Sequence, residues 1–193
     1  MLASMRIARS VILLTIALIA CAPEKLSGTD LGAQTAPDFA LVDGNTGASV
    51  SLGGLRGSVV ALAFLYTRCP DTCPLTAEYF RQAQSGLASD SSRVQFVAVS
   101  VDPINDVPQS VRSFSEQHRL STNWHYLIGP AASLQSVWQA YGIRQEPDPS
   151  TGSVGHTDAI YLIDATGKAR ILLHTVDGPE TLTKDLRILA RGQ

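Results

Sequence analysis

Phe64-Leu65-Tyr66-Thr67-Arg68-Cys69-Pro70-Asp71-Thr72-Cys73-Pro74 is the stretch where an apolar run stops and two cysteines follow, separated by three residues. Residues 59–66 are continuously apolar and partly β-branched. This is the pattern of a strand buried on both faces of a sheet. Beyond them Leu75, Tyr79, Phe80, Ala83 and Leu87 recur at roughly helical spacing. Pro74 suits a first helical turn, because amides there have no intrahelical partner to lose. Both sulfurs are therefore expected at a strand-to-helix turn. Unpaired amides and the positive end of the helix dipole lower thiol pKa values at such a place, and Arg68 adds a neighbouring cation. The thiolate is the nucleophilic and metal-binding form.

The 193-residue chain is 45% hydrophobic with a formal charge of −2, which fits one globular domain plus a leader and gives no basic excess for nucleic acid. Arg6 and Arg9 precede an apolar run over 11–20 that is interrupted by Thr15. The run is short for a membrane span, which needs about 20 apolar residues, but suits a secretory signal. It ends in Leu18-Ile19-Ala20-Cys21, which resembles the lipobox of bacterial lipoproteins. The expectation is a signal peptide over 1–20, cleavage before Cys21 and lipidation of that cysteine; an uncleaved signal anchor is the alternative. Either route exports the domain to the periplasm or cell exterior, membrane-anchored. Without residues 1–20 the chain holds 13 basic and 17 acidic residues, so its membrane attachment would rest on the lipid anchor and not on a basic surface. With Cys21 acylated, Cys69 and Cys73 remain as a local pair. A disulfide between them would close a loop too short to stabilise the fold much, which argues against a purely structural bridge.

Residues 21–36 are small and polar and read as a lipidated tether, followed by the domain over 37–193. Phe39-Ala40-Leu41-Val42, the turn Asp43-Gly44-Asn45-Thr46-Gly47 and residues 49–52 predict a β-hairpin near the start of that domain. A second buried strand is expected over 94–101, with Asp106 capping a helix that carries Val107, Val111 and Phe114 on one face. A short strand over 124–128 and an amphipathic helix through Leu134, Val137, Trp138 and Tyr141 follow. Residues 143–155, polar with Pro147 and Pro149, read as a long loop leading to His156. Strands over 159–164 and 169–174 and a helix from about Pro179 complete the chain. Alternating strands and helices predict an α/β layer fold with a mixed central sheet flanked by helices. With a cysteine pair at the first strand-to-helix turn, the thioredoxin-like fold is the expected one.

Thr67-Arg68-Cys69-Pro70-Asp71-Thr72-Cys73-Pro74, Val99-Ser100-Val101-Asp102-Pro103 and His156-Thr157 leading into Tyr161-Leu162-Ile163-Asp164 resemble the Sco/SenC copper chaperones of cytochrome oxidase assembly. The similarity runs from about Pro37 to the C-terminus. It implies a thioredoxin-like domain in which Cys69, Cys73 and His156 bind one copper ion. It also implies, as partners, the copper-bearing subunit of cytochrome c oxidase, a copper donor protein and a thioredoxin-like reductant. Several members carry an acid beside the histidine where this chain has Gly155, a departure that bears on the support of His156 and not on the ligand itself.

The donor set suits the metal. Copper(I) prefers thiolate and imidazole serves copper in either oxidation state, while Asp71 or Asp102 are candidate oxygen ligands for copper(II). An open three-ligand site lets a recipient's ligands enter, whereas a closed four-ligand zinc site would retain its metal. His118, His125 and His174 read as structural, His118 from its place near a helix C-terminus. Two other functions use the same cysteines: a thiol-disulfide oxidoreductase that reduces the oxidase copper-site thiols, and a peroxidase. Thioredoxin-like oxidoreductases usually carry Cys-x-x-Cys and a proline before the late strand. Here the cysteine spacing is one longer, and His156-Thr157-Asp158 stands in that place, which favours metal delivery.

Overall fold

A computed structural model describes residues 24–120 and 123–192. The first strand of the expected reading, β4 (Val59–Leu65), is buried at all seven positions and lies at the centre of an eight-stranded sheet. It pairs in parallel with β5 (Val94–Ser100), which pairs in parallel with β6 (Trp124–Ile128). On its other side it pairs antiparallel with β9 (Ile160–Ile163), which pairs antiparallel with β10 (Lys168–Leu173). One edge is closed by the hairpin β2 (Ala40–Asp43) and β3 (Ser49–Ser51), joined to the sheet through the β2–β6 pair. The other edge is β1 (Thr29–Thr35), antiparallel to β10.

Alternation along the strands sends Phe96, Trp124 and Tyr126 to one face. There α1 (Thr72–Gly86) lays Phe80 against Phe96 and Trp124, at ring-centroid distances of 5.1 and 6.0 Å. On that face too, α2 (Pro108–Gln117) brings Phe114 to Tyr126, at 5.7 Å. α4 (Gly178–Ala190) packs beside α1. Phe64 points to the opposite face and meets Tyr141, at the end of α3 (Ala131–Ala140), and Tyr161. Each fully buried phenylalanine stabilises this core by about 1.5–3 kcal/mol. The mixed sheet with helices on both faces is the α/β thioredoxin-like fold.

Three expectations are corrected. Residues 29–35, read as part of the tether, form the edge strand β1, so the folded domain begins before residue 37. β1 buries little side chain and is held by its backbone ladder, with a bulge at Gly32 and Ala33, both at positive φ. Residues 143–155, read as a loop, contain β7 (Gln145–Asp148), and β8 (Ser153–His156) completes a separate hairpin. Its turn closes through Gly152, at φ +69°, whose amide donates to the Asp148 carbonyl. Asp106 does not cap α2, where Val107 occupies that place; it is drawn inward beneath the cysteine turn.

Candidate metal centre

The order of the strands brings four connections to one end of the sheet: the cysteine turn after β4, residues 101–107 after β5, the β8–β9 link and the β10–α4 link. Cys69 lies in the turn and Cys73 in the first turn of α1. The Cys69 sulfur takes the place of a capping oxygen, accepting the Cys73 amide at 3.3 Å with the Thr72 hydroxyl 3.8 Å away. Cys73 is fully buried, whereas Cys69 is half-buried.

This asymmetry splits the two thiols. The Cys73 thiol donates to the Cys69 sulfur, and with the amides of Asp71 and Cys73 it lowers the Cys69 pKa to about 5 against the cost of burial. The same bond, followed by burial, pushes the Cys73 thiol up. The expectation of two lowered thiols therefore holds for Cys69 alone in the metal-free pair. Arg68 is not among the largest causes, and its Nη1 donates to Asn105 Oδ1 at 2.8 Å.

His156, at the end of β8, places Nε2 3.7 Å from the Cys73 sulfur. Its Nδ1 lies 3.0 Å from the Thr157 carbonyl oxygen, which can only accept. In the neutral ring the proton therefore sits on Nδ1, leaving the Nε2 lone pair toward the Cys73 sulfur. The Thr157 carbonyl supplies an orienting bond from the backbone, a feature hidden from sequence. Tyr66 holds the ring edge-on, with centroids 5.9 Å apart. The β7–β8 hairpin is fixed by Gln145 Nε2 donating to the Val101 carbonyl, and at its base by the Arg144 amide donating to Thr157 Oγ1 and the Thr157 amide donating to the Arg144 carbonyl.

Two ligands on one metal, at about 2.3 Å for sulfur and 2.0 Å for nitrogen, sit about 3.6–3.8 Å apart. The Cys73–His156 separation of 3.7 Å fits that span. Among the described residues no three of the His, Cys, Asp and Glu side chains stand ready as a cage. Cys69 is turned instead to the helix amides and would swing to complete a trio.

Asp71 is exposed at the start of α1, and Asp102 is spent on Asn105, whose backbone and side-chain nitrogens it accepts at 3.2 and 2.7 Å. Neither is placed with the sulfurs by a bond. His125 pairs with Asp43, His118 packs on Phe114, and His174 is bonded to the Asp158 carbonyl, in keeping with their structural reading. Cys21 lies outside the described residues.

Sequence reasoning missed the role of Asp106. Its carboxylate is buried and accepts four hydrogen bonds, from the Thr67 amide (2.9 Å) and hydroxyl (2.7 Å), Ser100 Oγ (2.6 Å) and the Tyr126 hydroxyl (3.0 Å). Burial pushes its pKa up despite these donors. It ties the start of the cysteine turn to β5 and β6. A polar residue just before a helix carries the same sequence signal as a cap, so only tertiary placement distinguishes the two.

The SCO1/SenC family model matches residues 27–191. A SCO1 protein homolog of Bacillus subtilis is 29% identical over 125 residues, 63% of this chain and 65% of the relative, so the chain spans just under two thirds of that relative's length. The structure of Bradyrhizobium japonicum ScoI with copper bound superimposes with a TM-score of 0.72 at 26% identity, over 80% of this chain and 99% of that one. Apo Sco1 from Thermus thermophilus gives 0.73 at 27% identity, over 84% and 95%. With a match across nearly all of the described residues, and with Cys69, Cys73 and His156 gathered at one end of the sheet, the chain belongs to the SCO1/SenC family.

Proposed function

We propose that this protein is a copper metallochaperone that binds one copper ion through Cys69, Cys73 and His156 and delivers it to the binuclear copper centre of cytochrome c oxidase during assembly. The observation that carries the reading is the His156 ring, locked by the Thr157 carbonyl with its Nε2 lone pair 3.7 Å from the Cys73 sulfur. Disulfide exchange has no use for a third soft ligand held this way. The copper-bound Bradyrhizobium japonicum relative supports the choice of metal. The half-buried Cys69 supplies a ligand at the surface, where a recipient's own ligands can enter and share the ion before it leaves. Export and lipidation at Cys21 belong to the same proposal. Among the described residues no helix is long and apolar enough to cross a membrane.

A second reading is favoured by the split between a surface thiolate at Cys69 and a buried thiol at Cys73. That is how a nucleophilic and a resolving cysteine are divided in thiol-disulfide exchange. His156→Ala separates the two readings, since it removes a metal ligand and leaves both thiols. Cells carrying it should lose oxidase activity at low copper and recover part of it when copper is abundant. Normal oxidase assembly in these cells, with assembly lost in Cys69→Ala cells, would establish the exchange reading in its place.

A further inference from the structure

Next to Cys69 a groove of about 420 Å³ runs between the cysteine turn and α2, lined by Thr67, Arg68, Val107, Ser110, Phe114 and Gln117 among others. Arg68 is the only charged residue in its lining. The guanidinium is exposed but fixed. Buried Asp102 accepts the Asn105 backbone N–H at 3.2 Å and its Nδ2 at 2.7 Å, which turns the Asn105 amide oxygen toward Arg68 Nη1, 2.8 Å away. Among the described residues no carboxylate lies within ion-pair distance of Arg68, although three other arginines, Arg81, Arg170 and Arg191, each have one. An arginine fork held in place and left without an anion is preorganised for one, with most of its donors free. Val107, in that lining, is 46% exposed, and Ile104, next to Asn105 on the same 102–107 connection, is 84% exposed. They are two of the five large apolar side chains that the described domain leaves exposed. An exposed cation and an exposed apolar side chain in one groove, with a second apolar side chain on the adjoining connection, are the makings of a protein contact with a charged rim and an apolar anchor.

We infer that this groove is the docking surface for the protein that receives copper from Cys69, and that this partner presents a carboxylate beside an apolar side chain close to its own copper ligands. The inference rests on the carrier reading above and specifies the chemistry of the partner. Position is the reason for choosing this occupant. Arg68 directly precedes Cys69 in the chain, so a surface seated on Arg68, Ile104 and Val107 is brought to the half-buried sulfur. A free carboxylate metabolite would use the arginine but would leave Ile104 and Val107 in water.

The test uses the full-length reduced protein in lipid nanodiscs, without copper, and the metal-free soluble copper-bearing domain of the same cell's oxidase. Dissociation constants are measured at low and high salt for wild type, Arg68→Glu, Arg68→Lys and Ile104→Ser. Arg68 and Ile104 are exposed, so these changes leave the core untouched. Arg68→Glu should weaken binding at low salt about tenfold or more, Arg68→Lys less, and Ile104→Ser several-fold. Added salt should weaken wild type and have little effect on Arg68→Glu. A photo-crosslinker at position 104 should capture the oxidase domain. Binding within twofold of wild type in both Arg68→Glu and Ile104→Ser, no binding by wild type, or a crosslink to a second copy of this chain would overturn the inference. Because copper is absent throughout, failure of the ligand assignment is read separately, as copper binding that is unchanged in the Cys69, Cys73 and His156 variants.

Discussion

Replacing Cys73 should change the acidity of a neighbouring atom, and the effect is best read from a pH profile. Cys69 has its pKa near 5 because the Cys73 thiol donates to it, with help from the amides of Asp71 and Cys73. At pH 7 such a group is about 99% thiolate, against about 3% for an ordinary cysteine with a pKa near 8.5, a gain of about thirtyfold in reactive species. Thiolate nucleophilicity falls with basicity, with a Brønsted coefficient of about 0.4–0.5, so a drop of about 3.5 pH units costs about thirtyfold in intrinsic rate. The two factors nearly cancel, and a single rate at pH 7 would make Cys69 look ordinary. The profile is different. Initial rates of reduced, metal-free protein with a small aromatic disulfide should rise through a midpoint near pH 5 and stay flat from about pH 6 to 8. Cys73→Ala removes the largest cause, so its midpoint should move up. The amides at 71 and 73 and the Thr72 hydroxyl still hold it down, against burial, which raises it. In the pair the first proton to leave is the one at Cys69. A wild-type midpoint above pH 7, or no shift in Cys73→Ala, would refute the shared-proton account of the site.

Asp106→Ala would leave the Thr67 amide and the fully buried Tyr126 hydroxyl without their acceptor, costing about 2–5 kcal/mol in urea denaturation; a loss under about 1 kcal/mol would show that water or a neighbour replaces the carboxylate. Truncating Phe80, which is fully buried between Phe96 and Trp124, to alanine should cost about 3–5 kcal/mol by the same measurement. Cys21→Ser should leave the precursor uncleaved and unlipidated in cells, and an intact Met1 in wild type by mass spectrometry would point instead to the signal anchor.

What was legible in the sequence follows from which forces write themselves into side chains. β4, β5 and α1 are carried by apolar periodicity, and the helix start at the cysteine turn by Pro74, so the core and both sulfurs could be placed from residues 59–101 alone. β1, β7 and β8 are backbone structures. Leu31 is the one large apolar residue of β1, and Val154 the one buried residue of the β7–β8 hairpin, so neither segment shows the alternation that marks a strand. His156 was found through its resemblance to a known pattern. Its Nδ1 partner is a backbone carbonyl, which no residue type announces. The Arg68 contact was hidden for a related reason. Adjacency to Cys69 suggested a charge effect on sulfur, but the side chain is claimed by Asn105, itself oriented by Asp102 more than thirty residues downstream.

The most direct test of the central claim is the metal content and visible spectrum of the reduced protein after exposure to copper, to zinc and to buffer alone. Wild type should retain one copper ion and, with copper(II), show strong thiolate charge-transfer absorption. Cys69→Ala and Cys73→Ala should each abolish that absorption, and His156→Ala should weaken and shift it. Copper content and spectrum unchanged in all three variants would contradict the account.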